Sequence, residues 1–251
     1  MTIPFDPLVV TGFVLALVRA SAWLFIAPPF NTRLVPIPVK AGFAAALAMA
    51  AAPQAAASGE LSLETGPFII ALVTQALVGF SMGMIMLIMF QAVTAAGALI
   101  DTFAGYSLAS VYDPTSDTTN SVFGRMYSLL AITLLFVSGG HHLLVKGFFG
   151  SFNVVPAGAT DPGLISRVLT TNADDFLLAA IEISAPVVAC LFISELSMGL
   201  VARAAPSLNV FSLAFPVRVI VTLIVVAMVI PLLGPAVNNI LREALSSVLG
   251  G

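Results

Sequence analysis

The sequence predicts an all-α integral membrane protein, and three observations lead to that class. The chain is 59% hydrophobic and only 8% charged, whereas soluble domains carry roughly 25% charged residues. Its apolar residues form long blocks that suit helices crossing a bilayer. These blocks do not alternate polar with apolar residues, as strands of a membrane barrel do. The net charge of −3 gives no basic surface for nucleic acid.

About six apolar blocks are visible, and each is expected to be helical: 8–30, 39–52, 66–100, 126–145, 176–202 and 217–241. Their lengths are unusual, because a membrane span needs about 20 apolar residues. Block 39–52 is short, and block 66–100 would reach about 50 Å as one straight helix. We therefore expect some helices to pack on protein rather than lipid, or to be broken.

Local signals refine the expected helix boundaries. Pro186, Pro231 and Pro235 fall inside apolar blocks and are expected to kink or end their helices. Asp174 or Asp175 could cap the N-terminus of the fifth helix. The length of the chain is compatible with one domain of packed helices.

The connecting segments indicate a topology if every block spans the membrane. One set of connectors holds five cations, which are Arg33, Lys40, Arg125, Arg203 and Arg218. The opposite set, together with the tails, holds Lys146, Arg167 and Arg242. The positive-inside rule then places the N-terminus outside and the 203–218 connector in the cytoplasm.

Three charged residues, Arg19, Glu182 and Glu195, lie inside apolar blocks. A charge facing lipid near the bilayer centre costs at least about 2.5–3.5 kcal/mol. Each of these side chains is therefore expected to face protein or water and to have a partner. They could line a substrate or ion path, or they could form structural contacts within the chain or in an assembly.

The third block is rich in methionine and contains a pair of glycines. Met82, Met84, Met86 and Met89 lie close together, next to Gly79 and Gly83. The glycine spacing is GxxxG, which permits close approach of a second helix. The methionines either line a compliant constriction or fill the core, since their side chains adapt to irregular gaps.

Catalytic and metal-binding patterns are not found in the sequence, so no enzyme activity, cofactor or metal is predicted. His141 and His142 are adjacent, and neighbours on a helix point about 100° apart, so a shared metal site would need distortion. Asp113 and Asp117 flank Pro114, which favours a turn over a helical carboxylate pair. Phosphate-loop, HExxH, GxSxG and dinucleotide motifs are absent from the sequence.

The stretch 101–125 is polar and lies between two strongly apolar blocks. It is rich in hydroxyls and contains Asp101, Asp113, Asp117 and Arg125. Irregular backbone cannot face lipid without leaving N–H and C=O groups unpaired. The stretch must therefore lie in water, line a cavity or be buried in protein. It is either an ordered solvent loop or an element that obstructs a passage.

Three stretches, spread over nearly the whole chain, carry a family resemblance. The first is Arg19-Ala-Ser-Ala-Trp-Leu-Phe-Ile-Ala-Pro28 with Pro36-Ile-Pro-Val-Lys40. The second is Gly97-Ala-Leu-Ile-Asp101 with Ser107-Leu-Ala-Ser-Val-Tyr-Asp113-Pro114 and Val122-Phe-Gly124-Arg125. The third is Arg203-Ala-Ala-Pro206-Ser-Leu-Asn209-Val-Phe211-Ser-Leu-Ala-Phe-Pro216-Val-Arg218. Together they resemble the FliR/SctT family, membrane subunits of the export gate of flagella and type III secretion injectisomes.

The resemblance implies an architecture and a set of partners. Residues 1–172 would form a FliP-like part, and residues 173–251 a FliQ-like helical hairpin. The chain would complete a ring with FliP and FliQ subunits in the inner membrane, at the flagellar basal body, with much of the assembly on the periplasmic side. The hairpin tip would face the FlhB switch protein, with the large FlhA component nearby. Unfolded secreted proteins would pass through.

The resemblance also assigns residues to roles. The 105–125 stretch resembles the family's pore plug, formed by Gly105, Tyr106, Ser107, Ser110, Tyr112, Asp113, Pro114, Ser121, Val122, Phe123, Gly124 and Arg125. The cytoplasmic hairpin tip would comprise Arg203, Pro206, Asn209, Phe211, Pro216 and Arg218. Arg19, Glu182 and Glu195 would lie at subunit interfaces. Position 218 is Arg where Lys is common in the family, and this change keeps the charge. Residues 117–119 replace a Gly-containing run, and this second departure leaves the conformation of the loop open.

Within the family, His141-His142-Leu-Leu and Phe123-Gly124-Arg125 look more flagellar than injectisomal. Two hypotheses lie outside the family. The first is an ion or small-molecule permease with Arg19, Glu182 and Glu195 along its path. The second is a membrane enzyme that uses His141 or Asp113.

Overall fold

The computed structural model describes residues 6–32, 35–57, 61, 64–105, 121–158, 172–204 and 210–249. Within these ranges the chain forms seven helices: α1 (Pro7–Ile26), α2 (Ile37–Ala57), α3 (Thr65–Ala104), α4 (Val122–Val137), α5 (Gly140–Val154), α6 (Asn172–Ala204) and α7 (Val210–Leu249). The described residues contain no strand. The prediction of an all-α membrane protein is confirmed.

Five of the apolar blocks each match one helix, but block 126–145 is divided into α4 and α5. The division falls at Ser138, which ends α4, and Gly139, which adopts φ +76°. That left-handed conformation favours glycine and commonly ends a helix. The break was not predicted, because the Gly139-Gly140 pair lies inside an apolar run.

The structure excludes the expected N-cap of the fifth block and one of the two outcomes expected at the prolines. Helix α6 begins at Asn172, so Asp174 and Asp175 lie in its first turn instead of capping it. Pro186, Pro231 and Pro235 lie inside helices that continue beyond them, so none of these prolines ends its helix. Helices this long have many other backbone hydrogen bonds, which maintain the helix across each missing N–H.

Four helices are long and apolar enough to cross a membrane: α1, α3, the Ile181–Ala204 part of α6 and the Pro216–Pro235 part of α7. The α4–α5 pair could supply a fifth span. Helix α2 is not among them. The topology inferred from the cations requires all six blocks to span the membrane, including α2, and it stays a prediction.

The chain divides into two compact units. Unit 1 comprises Met1–Met89, Gly139–Asp174 and Leu241–Gly251, and unit 2 comprises Phe90–Ser138 and Asp175–Ile240. Helix α3 contributes its N-terminal part to unit 1 and its C-terminal part to unit 2.

In unit 1, small residues allow α1 and α2 to lie close together. A Cβ atom at Gly12 would lie 2.8 Å from the carbonyl oxygen of Ala52 and 2.9 Å from the amide nitrogen of Ala56, which is too close for any side chain. Ala48, Ala51 and Ala55 of α2 are fully buried. The alanine content of α2 thus has a packing reason, and this helix packs on protein, as its length suggested.

An aromatic cluster forms the rest of the core of unit 1. The Trp23 ring stacks on Phe148, with centroids 5.6 Å apart, and Phe148 meets Phe152 edge to face. The indole N–H of Trp23 donates to the sulfur of Met86 at 3.2 Å. These residues connect α1, α3 and α5 and surround a buried charge, which is described below.

Candidate functional site: the junction of α3 and α4

The polar stretch singled out in the sequence begins where α3 ends. Helix α3 stops at Ala104, and Gly105 follows it with φ +82°. Asp101, in the last turn of α3, is only 4% exposed. A buried carboxylate needs donors to replace its lost water.

Those donors come from the beginning of α4. The Ser121 hydroxyl donates to the Asp101 carboxylate. The backbone N–H of Phe123 donates to both carboxylate oxygens, at 3.1 and 3.3 Å. Ser121 is also the N-cap of α4, since its side-chain oxygen accepts the N–H of Gly124 at 2.7 Å. Asp101 and Ser121 therefore satisfy N–H groups that have no partner within the helix.

Two glycines bring the backbones of α3 and α4 together at this point. A Cβ atom at Gly97 would lie 2.5 Å from the carbonyl oxygen of Phe123 and 2.6 Å from the Cα atom of Gly124. A Cβ atom at Gly124 would overlap the Ser121 side chain. Gly97 and Asp101 are four residues apart and share one face of α3, so the same face carries both the close contact and the carboxylate.

The structure changes the boundaries of the predicted plug. Val122, Phe123, Gly124 and Arg125 belong to α4, so the last four residues of the predicted loop are helical. Phe123 and Gly124 are buried, whereas Val122 and Arg125 are exposed. The other predicted plug residues between Gly105 and Ser121 lie outside the described residues: Tyr106, Ser107, Ser110, Tyr112, Asp113 and Pro114.

Asp101 was not predicted as a site residue, although the sequence held a signal for it. Ser121 precedes an apolar run, as N-cap residues do, and an acid follows Gly97 at the end of the preceding block. Neither feature by itself connects Asp101 with Ser121, because their contact depends on how α3 and α4 pack.

A second polar cluster lies in unit 1 and is centred on Arg19, which is completely buried. Its Nε donates to the Gln75 side-chain oxygen at 2.7 Å. One terminal nitrogen donates to the Ser151 hydroxyl at 2.8 Å, and the other donates to the Val155 carbonyl at 2.6 Å. The guanidinium carbon lies 3.9 Å from the centroid of the Phe152 ring. Arg19 thus connects α1 with α3 and with the C-terminal end of α5.

Gln75 completes this cluster. Its amide nitrogen donates to the carbonyls of Pro156 and Ala157, at 3.2 and 3.0 Å. The expectation that Arg19 has a partner inside protein is confirmed. Its own chain buries Arg19 completely, which argues against the predicted place at a subunit interface.

The close helix approach predicted from the GxxxG spacing occurs where α3 crosses α1 beside Arg19. A methyl group at Gly79 would overlap the carbonyl oxygen of Arg19, and one at Gly83 would lie 2.9 Å from the Cβ atom of Ile26. Gln75, Gly79 and Gly83 recur every four residues and share one face of α3. Met82, Met86 and Met89 are buried in the chain, which favours core packing over a constriction.

The remaining candidate residues do not contribute contacts that the structure describes in these two clusters. In unit 2, Glu195 of α6 forms an ion pair with Arg218 of α7, while Glu182 is exposed. At the predicted hairpin tip, Arg203 and Pro216 are exposed. Pro206 and Asn209 lie outside the described residues, and Phe211 lies in the first turn of α7.

The histidine pair lies at the beginning of α5, where the ring centroids of His141 and His142 are 4.1 Å apart. The described residues contain no group of three or more His, Cys, Asp or Glu that could hold a metal. Asp113, the other residue considered for catalysis, lies outside the described ranges.

These observations define a class: an all-α integral membrane protein in which the two helices that flank a polar stretch of the sequence pack closely together. Residues 10–244 match the family described as Bacterial export proteins, family 1, and the chain belongs to that family. The resemblance found in the sequence is confirmed.

Several relatives show how far the similarity extends. The chain is 30% identical to the flagellar biosynthetic protein FliR of Bacillus subtilis, over 91% of this chain and 90% of that protein. It is 29% identical to FliR of Escherichia coli, over 90% and 87%. It is 27% identical to the Yop proteins translocation protein T of Yersinia pestis, over 82% and 80%.

Proposed function

We propose that the chain is a non-enzymatic subunit of the type III protein export gate, in the inner membrane at the base of the bacterial flagellum. Membership in the bacterial export family and similarity to FliR along most of both chains support this proposal. The injectisome branch is the second candidate, since the Yersinia pestis translocation protein is also similar. The flagellar relatives match over a larger share of both chains, which favours the flagellar branch.

Within that gate, we propose that residues 106–120 plug the pore for unfolded polypeptide. The observation that supports this role is the contact between Asp101 and Ser121. Because Asp101 and Ser121 touch each other, the described residues on either side of the segment lie close together. A polar segment with its ends held together and excluded from lipid suits an element that projects into an aqueous passage.

The proposal includes partners and a location. FliP and FliQ subunits would complete the ring, with residues 1–172 acting as the FliP-like part and 173–251 as the FliQ-like hairpin. The tip at 203–218 would face FlhB, and FlhA would lie nearby. Much of the assembly would lie on the periplasmic side of the membrane.

The experiment that tests the plug removes residues 107–119 and joins the ends with a short Gly-Ser linker. This deletion keeps Asp101, Ser121 and the whole of α4. We expect gates that still contain FliP- and FliQ-like subunits, shown by native mass spectrometry after mild extraction. We expect those gates to conduct ions in planar bilayers more than wild-type gates do.

The control replaces 107–119 by a Gly-Ser segment of equal length. It separates the effect of the segment's length from the effect of its side chains. Assembled deletion gates with wild-type conductance would refute the plug. A chain that extracts without partners would instead support the permease alternative. That alternative is already weakened, since Arg19, one of its proposed path residues, bonds to Gln75, Ser151 and Val155 inside unit 1.

A further inference from the structure

We propose that Glu195 and Arg218 are positioning residues that determine the register in which α6 packs against α7. Both residues lie in unit 2, and their ion pair joins the two helices directly. This role concerns packing within the chain and does not depend on the proposed function. Every residue that supports it lies in the described parts of α6 and α7.

The ion pair requires α6 and α7 to run antiparallel. Glu195 lies nine residues before Ala204, where α6 ends, and Arg218 lies eight residues after Val210, where α7 begins. At a rise of about 1.5 Å per residue, a parallel arrangement would separate Ala204 from Val210 by about 25 Å. The six residue steps between these positions reach at most about 22 Å when fully extended. An antiparallel pair places both helix ends on the same side of the ion pair.

A row of buried side chains runs along α6 and leads to Glu195. Ser184, Val187 and Leu191 are buried at spacings of three and four residues, which places them on one face of the helix. Glu195 continues this face four residues after Leu191. The ion pair therefore lies in line with the buried row of α6.

Helix α7 carries a matching row. Its buried members follow Arg218 at spacings of three and four residues: Thr222, Val226, Val229 and Leu233. The Thr222 hydroxyl donates to the Arg218 carbonyl, one turn earlier on the same face, at 2.7 Å. Because each row leads to one member of the ion pair, the two rows face each other. In the register set by that pair, Leu191 lies opposite Thr222.

The rows by themselves leave the register open. Both have heptad spacing, so a slide of seven residues, about 10.5 Å, again brings one row against the other. Arg218 is the one charged residue in the sequence of the Pro216–Pro235 part of α7. After such a slide Glu195 would lie opposite Val225 and lose its cation. Charged pairs beside such a seam select one register and orientation over others.

Cysteine cross-linking of the full chain, in membranes of cells that express it, measures the register. With Cys190 replaced by serine, Leu191→Cys with Thr222→Cys reports the register of the structure. Leu191→Cys with Val229→Cys reports the register shifted by seven residues. A disulfide needs Cβ atoms about 3.5–4.5 Å apart, so each reporter forms in one register only. We expect the first cross-link to predominate when Glu195 and Arg218 are both present.

Substitutions of the pair should change the ratio of the first cross-link to the second. Glu195→Gln should lower it about two- to fivefold, which corresponds to the loss of an exposed ion pair. Glu195→Arg adds repulsion from Arg218 and should lower it about tenfold. Glu195→Arg combined with Arg218→Glu should restore the original ratio. Glu182→Gln is the matched control, because Glu182 is also exposed on α6 and should leave the ratio unchanged.

The outcomes separate register from stability. A pair that contributed only stability would change unfolding without changing the ratio of the two cross-links. An unchanged ratio in Glu195→Arg, or no recovery in the exchanged pair, would overturn the role of these residues. If Glu195→Arg does not accumulate, Glu195→Gln and Arg218→Gln still decide the question. The readout involves no export or conductance, so its failure would leave the proposed function standing.

Discussion

Arg19 in unit 1 and Glu195 in unit 2 are two charged residues that the protein accommodates in opposite ways. In unit 1, Arg19 is completely buried, and its partners Gln75, Ser151, Phe152 and the Val155 carbonyl all come from the same unit. In unit 2, the side chain of Glu195 is 61% exposed in the isolated chain and its partner Arg218 is 23% exposed. Only the first charge is fully enclosed by its own chain.

The helices that carry these two charges also differ in how much of their surface is buried within the chain. Within the apolar window of α1, 39% of residues are buried in the chain, against 11% for the window in α6 and 22% for that in α7. An exposed ion pair on such helices would be costly against lipid. The α6–α7 surface around Glu195 therefore requires water or another protein surface to cover it, whereas the Arg19 region requires neither.

The variant with the largest expected effect is Arg19→Met, which keeps much of the side-chain volume but removes every donor. Gln75, Ser151 and the Val155 carbonyl would each lose a buried partner, and leaving such groups unsatisfied costs about 1–3 kcal/mol apiece. We expect the free energy of unfolding of the purified chain in detergent to fall by about 3 kcal/mol or more. Thermal unfolding, monitored as the loss of protease resistance, would measure this loss of stability.

Arg242→Ala is the control for that variant, because Arg242 is exposed on α7. It should change stability little. The stability of Arg19→Lys should fall between those of the two variants. Lysine keeps the positive charge, but it lacks the planar guanidinium group that reaches three separate partners. Equal stability of Arg19→Met and wild type would show that the cluster is not a structural centre of unit 1.

A smaller loss is expected from Gly79→Ala, which tests the α1–α3 crossing beside Arg19. The new methyl would overlap the Arg19 carbonyl oxygen, and overpacking of this kind typically costs about 1–3 kcal/mol. Gly199→Ala is a matched control, because a Cβ atom there meets nothing within 4 Å. In the helix it should be neutral or stabilising by up to about 1 kcal/mol. The same unfolding assay compares the two, and a neutral Gly79→Ala would contradict the close crossing.

The sequence predicted parts of this arrangement and missed others for identifiable reasons. Composition and block length were sufficient for the fold class, and the Gly79–Gly83 spacing correctly indicated a close helix crossing. Arg19 could be identified as a buried charge, but its partners could not. Val155 accepts through its backbone carbonyl, which any residue possesses, and Ser151 resembles many other serines of the chain.

The junction of α3 and α4 shows the same limit. The sequence marked the polar stretch, but the boundary of α4 and the role of Asp101 depend on Gly97 and Gly124 allowing two backbones to touch. Likewise, the Gly139-Gly140 pair did not reveal whether the helix would break there. Long-range packing decided the contact of Asp101 with α4, whereas at Gly139 the sequence permits a left-handed helix end without requiring one.

The smallest effect in the isolated chain is expected from the Glu195–Arg218 pair. Exposed ion pairs contribute about 0.2–1 kcal/mol, so Glu195→Gln, Arg218→Gln and the double variant should unfold nearly as the wild type does in detergent. If another protein surface covers the pair in an assembled gate and removes the screening by water, each single variant should leave an unpaired charge. We then expect each to lower the recovery of intact gates more than the double variant does. Native mass spectrometry of gates from cells expressing each variant measures this. Equal recovery from all three would place the pair in water, and the contrast between the two units would then lie in burial alone.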